Sequence, residues 1–283
     1  MPPRSSPTPR QQRLGVELRK LRERAGLSPT EAAALLGVDR AKMSSIETGR
    51  VGLSAERVRT LAGHYCCTDE PLIAALAAMT VGRMRHWWDE YRGVLPNGFL
   101  DLAELEHHST RMRTAQTATL PGLLQTADHA RAIFAESVPP LPAHEVEHRT
   151  SHRIKRQAVL HGDTPTHYSA TIHEAALRMQ FGGAATARAQ LGHIMEMSER
   201  DNITVRVVPF TAGAIPAPGQ TIFYATGSVP QLDTVQLDEV HGPVFLDATA
   251  QLDKYRNILD RLEDLALKPD ASRDFIHEIA RDL

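Results

Sequence analysis

Histidines 144, 148 and 152 fall at i, i+4 and i+8, a spacing that sets three imidazoles along one face of a helix and raises metal binding as a chemistry. From i to i+8 a helix rises about 12 Å, so one ion can be held by at most two of them, and a solvated polar face is the competing reading. His173 and Glu174, where a strand gives way to a helix, have the types of a general acid–base pair. Neighbours in sequence rarely face one reacting atom. With no nucleophile motif, phosphate-cradling glycine loop or metal dyad beside them, helix capping and packing is the better reading. Cys66 and Cys67 are adjacent, ill placed for a disulfide or a four-ligand metal site, and read as small core residues. Trp87 and Trp88 could stack on a ligand, but core packing of a connector helix is the plainer role. The expectation is no catalytic residue, no metal and no cofactor.

The stretch from Ser28 to Arg50 points to a different chemistry, the binding of a polyanion. Residues 1–60 carry 12 Lys or Arg against 6 Asp or Glu, a balance of +6, whereas the remainder carries 20 against 28, a balance of -8. Within the basic part, Ala33, Gly37, Met43 and Ile46 have the spacing of a helix-turn-helix. It supplies a small residue where two helices cross, a glycine in the turn and apolar contacts beneath the second helix. An ordinary four-helix bundle with no nucleic-acid role is the alternative.

The elements that must position these residues can be read from caps and periodicity. Residues 1–12 are Pro-, Ser- and Arg-rich and are expected to form a disordered basic arm. Leu14, Leu18 and Leu21 share one face of a first helix that closes near Gly26. Ser28, Pro29 and Glu31 form the cap, first turn and closing carboxylate of a second helix that stops at Gly37. Asp39 caps a third helix reaching about Thr48, and Ser54 a fourth with Val58, Leu61 and Ala62 inward. Residues 71–92 read as a helical connector ending at a Gly-Val-Leu-Pro-Asn-Gly turn.

Beyond Phe99 the pattern becomes mixed. Helices are expected over about 101–113, 126–137 and 143–159, in HEAALRM and TARAQLGHIMEMSER, from about Ala248 to Leu267, and after Pro269. Strands are expected in THYSATI, ITVRVVPF, TIFYAT, TVQLDEV and VFLD. The fold class is an N-terminal all-α helix-turn-helix bundle followed by a C-terminal α+β domain with a mainly antiparallel sheet. The expected division is arm 1–12, helix-turn-helix 13–70, connector 71–98 and a regulatory or dimerisation domain 99–283.

The run LSPTEAAALLGVDRAKMSSIETGR resembles the XRE class of lambda-repressor-like regulators, above all in its Leu-Gly-Val turn and Ile-Glu-x-Gly-Arg close. Beyond it, LPGLLQT (120–126), HEAALR (173–178), ITVRVVPFTAG (203–213) and YRNILDRLEDLALKPDASRDFI resemble a group of actinobacterial regulators that join such a head to a C-terminal domain of uncharacterised activity. The resemblance implies roles for particular residues. Arg40 and Ala41 match the leading base-contacting positions, with Ser45 one turn later. Arg40 has the fork that pairs with guanine, and Ala41 can meet a thymine methyl. Lys42, Ser44 and Arg50 suit phosphates or neighbouring edges, while Ser28 and Thr30, with the second helix's first amides, would grip a phosphate. Pro29 stands where the family commonly has Gln, which weakens that clamp. Arg22 and Glu47 match positions that pair across the helices; the alternative for Arg22 is a further phosphate-facing cation.

The function expected is that of a sequence-specific DNA-binding transcriptional regulator, not an enzyme. Its partners would be double-stranded DNA, a second copy in a homodimer and, as the resemblance implies, a small partner protein encoded nearby in an antitoxin-like arrangement. A small-molecule- or metal-responsive sensor is the alternative. No stretch has the roughly 18 apolar residues of a membrane span, and MPPRSSPTPRQQ lacks the apolar core of a secretory signal, so a cytoplasmic location is expected.

Overall fold

The computed structural model describes residues 6–80, 86–239 and 242–283. They fall into two compact units, Met1–Glu90 with Ser228–Leu232, and Tyr91–Gly227 with Asp233–Leu283. No helix among the described residues is long and apolar enough to cross a membrane.

The first unit is all-helical: α1 (Pro9–Arg24), α2 (Pro29–Leu36), α3 (Arg40–Glu47), α4 (Ala55–His64) and α5 (Glu70–Ala78). Each amphipathic helix turns its apolar stripe inward, so that Leu14, Leu18, Ala33, Met43, Ile46, Val58, Leu61 and Leu76 share one core. Gly37 ends α2 with φ +68°, and the following Val38 N–H returns to the Ala33 carbonyl at 2.9 Å, which sets the sharp turn into α3. Val229 and Leu232 pack against the same core.

Three expectations need correcting here. The arm of residues 1–12 gives way to helix at Pro9, because Thr8 and Gln11 make a full capping box with Pro9 in the first turn. Residues 1–5 lie outside the described residues. The connector helix of 71–92 is not continuous: α5 ends at Ala78, its Leu72, Leu76 and Ala77 belong to the core of the first unit, and Trp87–Tyr91 is a separate 3-10 turn. Residues 81–85 lie outside the described ones. Cys66 is not a core residue. It is exposed, at φ +53°, just past the end of α4.

The second unit contains α6 (Asn97–His107), β1 (Arg111–Gln116), α7 (Ala127–Ala135), α8 (Ala143–Arg156), β2 (His167–His173), α9 (Glu174–Arg178), α10 (Gly183–Met197), β3 (Ile203–Val208), β4 (Ile222–Thr226), β5 (Thr234–Glu239), β6 (Gly242–Leu246), α11 (Thr249–Leu265) and α12 (Pro269–Asp282). The described strands form one sheet in the order β3-β2-β1-β4-β5-β6. Pairing is parallel for β3-β2-β1 and antiparallel for β1-β4-β5-β6, so the sheet is mixed and mostly antiparallel. The architecture is the expected α+β. The strand β1 was expected to be the tail of a helix running to residue 113; instead Met112 pairs with Tyr168 on one side and Ala225 on the other.

Both faces of the sheet are covered. On one, Ala115, Ile222, Tyr224, Val235 and Leu237 pack against Leu252, Leu259 and Leu262 of α11. On the other, Met112, Tyr168, Ala170, Ile172, Val205 and Val207 meet Leu191 and Ile194 of α10 and Ile276 and Ile279 of α12. Burial of such side chains contributes on the order of 1.5–3 kcal/mol each, which is what holds the layers together.

Candidate nucleic-acid interface

Side-chain caps fix the start of each helix in the helix-turn-helix. Ser28 Oγ accepts from the Glu31 N–H at 3.3 Å while the Glu31 carboxylate accepts from the Ser28 N–H at 2.7 Å. These bonds hold the Glu31 carboxyl below its ordinary pKa. Asp39 Oδ1 accepts from the Lys42 N–H at 2.7 Å, and Ser54 Oγ from the Arg57 N–H at 3.3 Å. With its start so defined, α3 buries Met43, Ile46 and Glu47 and leaves Arg40, Ala41, Lys42 and Ser44 exposed.

The exposed face of α3 and its flank gather the residues suited to a polyanion. Ser28, Thr30 and Arg50 are also exposed, while Ser45 is half-buried and its hydroxyl donates to the Ala41 carbonyl at 3.0 Å. Ser45 therefore has its oxygen lone pairs left for an outside donor rather than its proton. At the start of α2, Pro29 has no N–H and the Ser28 and Glu31 N–H groups are used within the capping box. The groups left to meet a phosphate are the Thr30 N–H and the hydroxyls of Ser28 and Thr30, with the Glu31 carboxylate close by.

Beneath this face Arg22 joins the helices. Its Nε donates to Glu47 Oε1 at 2.5 Å and its Nη2 to Glu47 Oε2 at 3.1 Å, while Nη1 donates to the Leu27 carbonyl at 2.7 Å. Both side chains are buried, and the pair with Glu47 raises the pKa of Arg22. Burial first, and the Glu47 carboxylate second, push the neighbouring Tyr65 phenol up to about 12. Arg22 thus faces the interior, not a phosphate.

The other candidate clusters are dispersed. His144 and His148 are exposed and in edge-on ring contact, but His152 is buried against Tyr91 and Phe99, so the solvated histidine face extends over only two of the three. Among the described residues no group of three or more His, Cys, Asp and Glu side chains is placed to hold a metal ion. His173 caps α9, its Nδ1 accepting from the Ala175 N–H at 3.2 Å. Glu174 accepts from Arg178 Nε at 2.7 Å and from the Phe210 N–H at 2.8 Å, so both residues are engaged in local structure. Trp88 is buried and stands edge-on to Trp87.

Sequence reasoning passed over two glycines that let the helix-turn-helix close. A Cβ at Gly15 of α1 would lie 2.5 Å from the Glu47 carbonyl oxygen, and one at Gly49, where φ is +74°, would lie 2.6 Å from the Gln11 carbonyl oxygen. Gly15 sits among leucines of the first helix, an unfavourable place for glycine unless a backbone crosses there, and that was the available signal.

Two family models match the chain, one described as a helix-turn-helix domain over residues 13–76 and one described as a domain of unknown function (DUF5753) over residues 99–278. No curated protein and no solved structure matches it.

Proposed function

The chain belongs to the DUF5753 family and carries a helix-turn-helix domain ahead of that domain, and from this we infer that it is a sequence-specific transcriptional regulator whose α3 enters the major groove of DNA. One observation carries the reading. The outward face of α3 presents Arg40, Ala41, Lys42 and Ser44 together, while its inward face is locked by Met43, Ile46 and the Arg22–Glu47 pair. Arg40, first after the Asp39 cap, is the base reader; Lys42 and Arg50 are phosphate contacts.

One head covers one half-site, and a single small module rarely reaches useful specificity. A homodimer is therefore proposed, with half-sites about 34 Å apart or a multiple of it. The second unit is assigned dimerisation and the response to a small partner protein, an antitoxin-like role supported by the resemblance to actinobacterial XRE-type regulators. Its contribution is binding rather than catalysis, in keeping with the structural use of His173 and Glu174. A second reading, response to a small molecule, is favoured by a cleft in that unit.

A salt-resolved titration of the full chain on selected genomic fragments, beside Arg40→Ala, tests the first reading. Tight binding to a few fragments, with selectivity reduced by roughly 1–3 kcal/mol in the variant, is expected. Equal, weak binding to every fragment by both proteins would refute α3 as a sequence reader.

A further inference from the structure

A cleft of about 300 Å³ opens in the second unit between the sheet and the helices α6 and α8. Its floor is the row Thr114, Phe223 and Gln236, side by side on β1, β4 and β5 at the place where the sheet changes from parallel to antiparallel. Elsewhere this face of the sheet is largely apolar, yet here Thr114, Gln116 and Gln236 are buried with polar groups turned to the cleft.

Most of those groups answer one another. Gln116 Nε2 donates to Thr114 Oγ1 at 3.0 Å, Thr114 donates to the Ile222 carbonyl at 2.8 Å, and Gln116 Oε1 accepts from Thr119 at 3.1 Å. Across the cleft, Arg156 holds Glu106 by two bonds of 2.8 and 2.5 Å, and both side chains are buried. Arg153, one turn earlier on α8, is the exception. Its Nη1 donates to Gln125 Oε1 at 2.6 Å and its guanidinium lies 4.3 Å over the Phe134 ring, but its sequestered Nε has no hydrogen-bond partner and no carboxylate pairs with it among the described residues. Glu106 is taken by Arg156, and Asp238 stands exposed at the mouth without an ion pair to either guanidinium. Burial and the nearby Arg156 pull the Arg153 pKa down to about 9, as befits a cation short of counter-charge.

Gly122 supplies the space. A Cβ there would stand 3.8 Å from Arg153 Nε and 3.7 Å from Arg156 Nη1, in ordinary contact with both, so a larger side chain at this position would fill the cleft beside the two guanidinium groups. Leu120, Gly122, Leu123 and Gln125, all from the LPGLLQT run, line the cleft; Phe99 and Leu102 add an apolar wall.

We propose that this cleft binds a small organic carboxylate, held by the Arg153 guanidinium that lines it, with its apolar body lying along Phe99, Leu102 and Phe223. A planar guanidinium edge matches two carboxylate oxygens. A phosphate ester, with close to two charges and three acceptor oxygens, would need more donors than Arg153 has to spare, since its Nη1 is given to Gln125 and Arg156 is held by Glu106. The cleft is of the size that encloses small ligands, apolar with a few placed polar groups. The site gives the small-molecule reading a location and a ligand class, and stands apart from DNA recognition.

Saturation-transfer NMR on the full-length protein tests it, with phenylacetate, 3-phenylpropionate and isovalerate as probes, their neutral amides as controls and inorganic phosphate as a competitor. Transfer to at least one carboxylate and not to its amide is expected. Affinity should fall about tenfold or more in Arg153→Gln. Gly122→Leu keeps the guanidinium and fills the space before it, and should abolish binding with the fold unchanged by circular dichroism. Equal transfer to acid and amide, displacement by phosphate alone, undiminished binding in Gly122→Leu, or no transfer to any carboxylate at millimolar concentration overturns the proposal. None of those results bears on DNA binding, which the fragment titration reads separately.

Discussion

Gly15 of α1 lies against the backbone of Glu47 at the end of α3, where a single added carbon would come within 2.5 Å of the carbonyl oxygen. The obstacle is backbone, not a movable side-chain tip. Gly15→Ala should therefore destabilise the first unit by roughly 1–3 kcal/mol, although alanine favours helix elsewhere. Hydrogen exchange of the α1 and α3 amides in the full chain measures this, and unchanged or slower exchange would show that the crossing is looser.

Glu47 also anchors Arg22 through its side chain, so the same residue joins α1 and α3 twice over. Removing one partner of a buried pair strands the other charge. Glu47→Leu or Arg22→Met alone should cost about 3–5 kcal/mol, while the double change should recover much of the loss. A double-mutant cycle by urea unfolding reads the coupling directly. Additive effects would mean that the two residues do not depend on each other.

Lys42 on α3 and Arg50 just beyond it are exposed, and under the proposed function both contact phosphates. Replacing either with alanine should weaken binding to all fragments alike and reduce the slope of log K against log salt by about 0.9. Fluorescence anisotropy at several salt concentrations checks it. If the slope stays and the ranking of fragments changes, the residue touches bases instead.

His129 is fully buried, edge-on to Phe181, with neither ring nitrogen hydrogen-bonded. Burial first, and Arg153 second, bring its pKa down to about 4. Since the folded value lies below the ordinary 6.5, the neutral ring's contribution is complete above pH 6.5 and is lost as pH falls toward 4, at about 1.4 kcal/mol per pH unit for this group. His152, buried and brought down to about 3, adds to the same trend. Protection of the β2 amides, expressed relative to their intrinsic exchange rate at each pH, should fall across that window, and less steeply in His129→Phe. An identical acid profile in the variant would remove His129 as a contributor.

What was legible in the sequence was chiefly what neighbours in sequence decide. Ser28 with Glu31, Asp39 and Ser54 announce helix starts because each cap reaches only three residues ahead. The same signal stands at Thr8 and Gln11, where a Pro- and Arg-rich composition obscured it. The strand β1 was illegible for the opposite reason. Arg111 and Arg113 alternate with residues whose burial depends on β2 and β4, far along the chain. The inward face of α3 followed from the spacing of Met43 and Ile46, and its outward residues from the resemblance, but the cleft had no such signal, since Gly122, Arg153 and Gln236 come from separate segments. No local pattern marks an arginine that the fold leaves without a carboxylate.

The place of β1 also has a consequence in time. As the chain leaves the ribosome, helices α1 to α5 of the first unit can pack through contacts between neighbours, which form quickly, and Val229 and Leu232 join that core only later. β1 emerges before any of its partners has been made. It must wait for β2 on one side and β4 on the other, and its edges stay unsatisfied until most of the second unit has been synthesised. A long-range, partly parallel pairing of this kind is slow to form and exposes strand edges meanwhile. During synthesis the helices of the helix-turn-helix domain are therefore packed together while the strands of the second unit, and the Ser228–Leu232 segment that completes the first, are still to come.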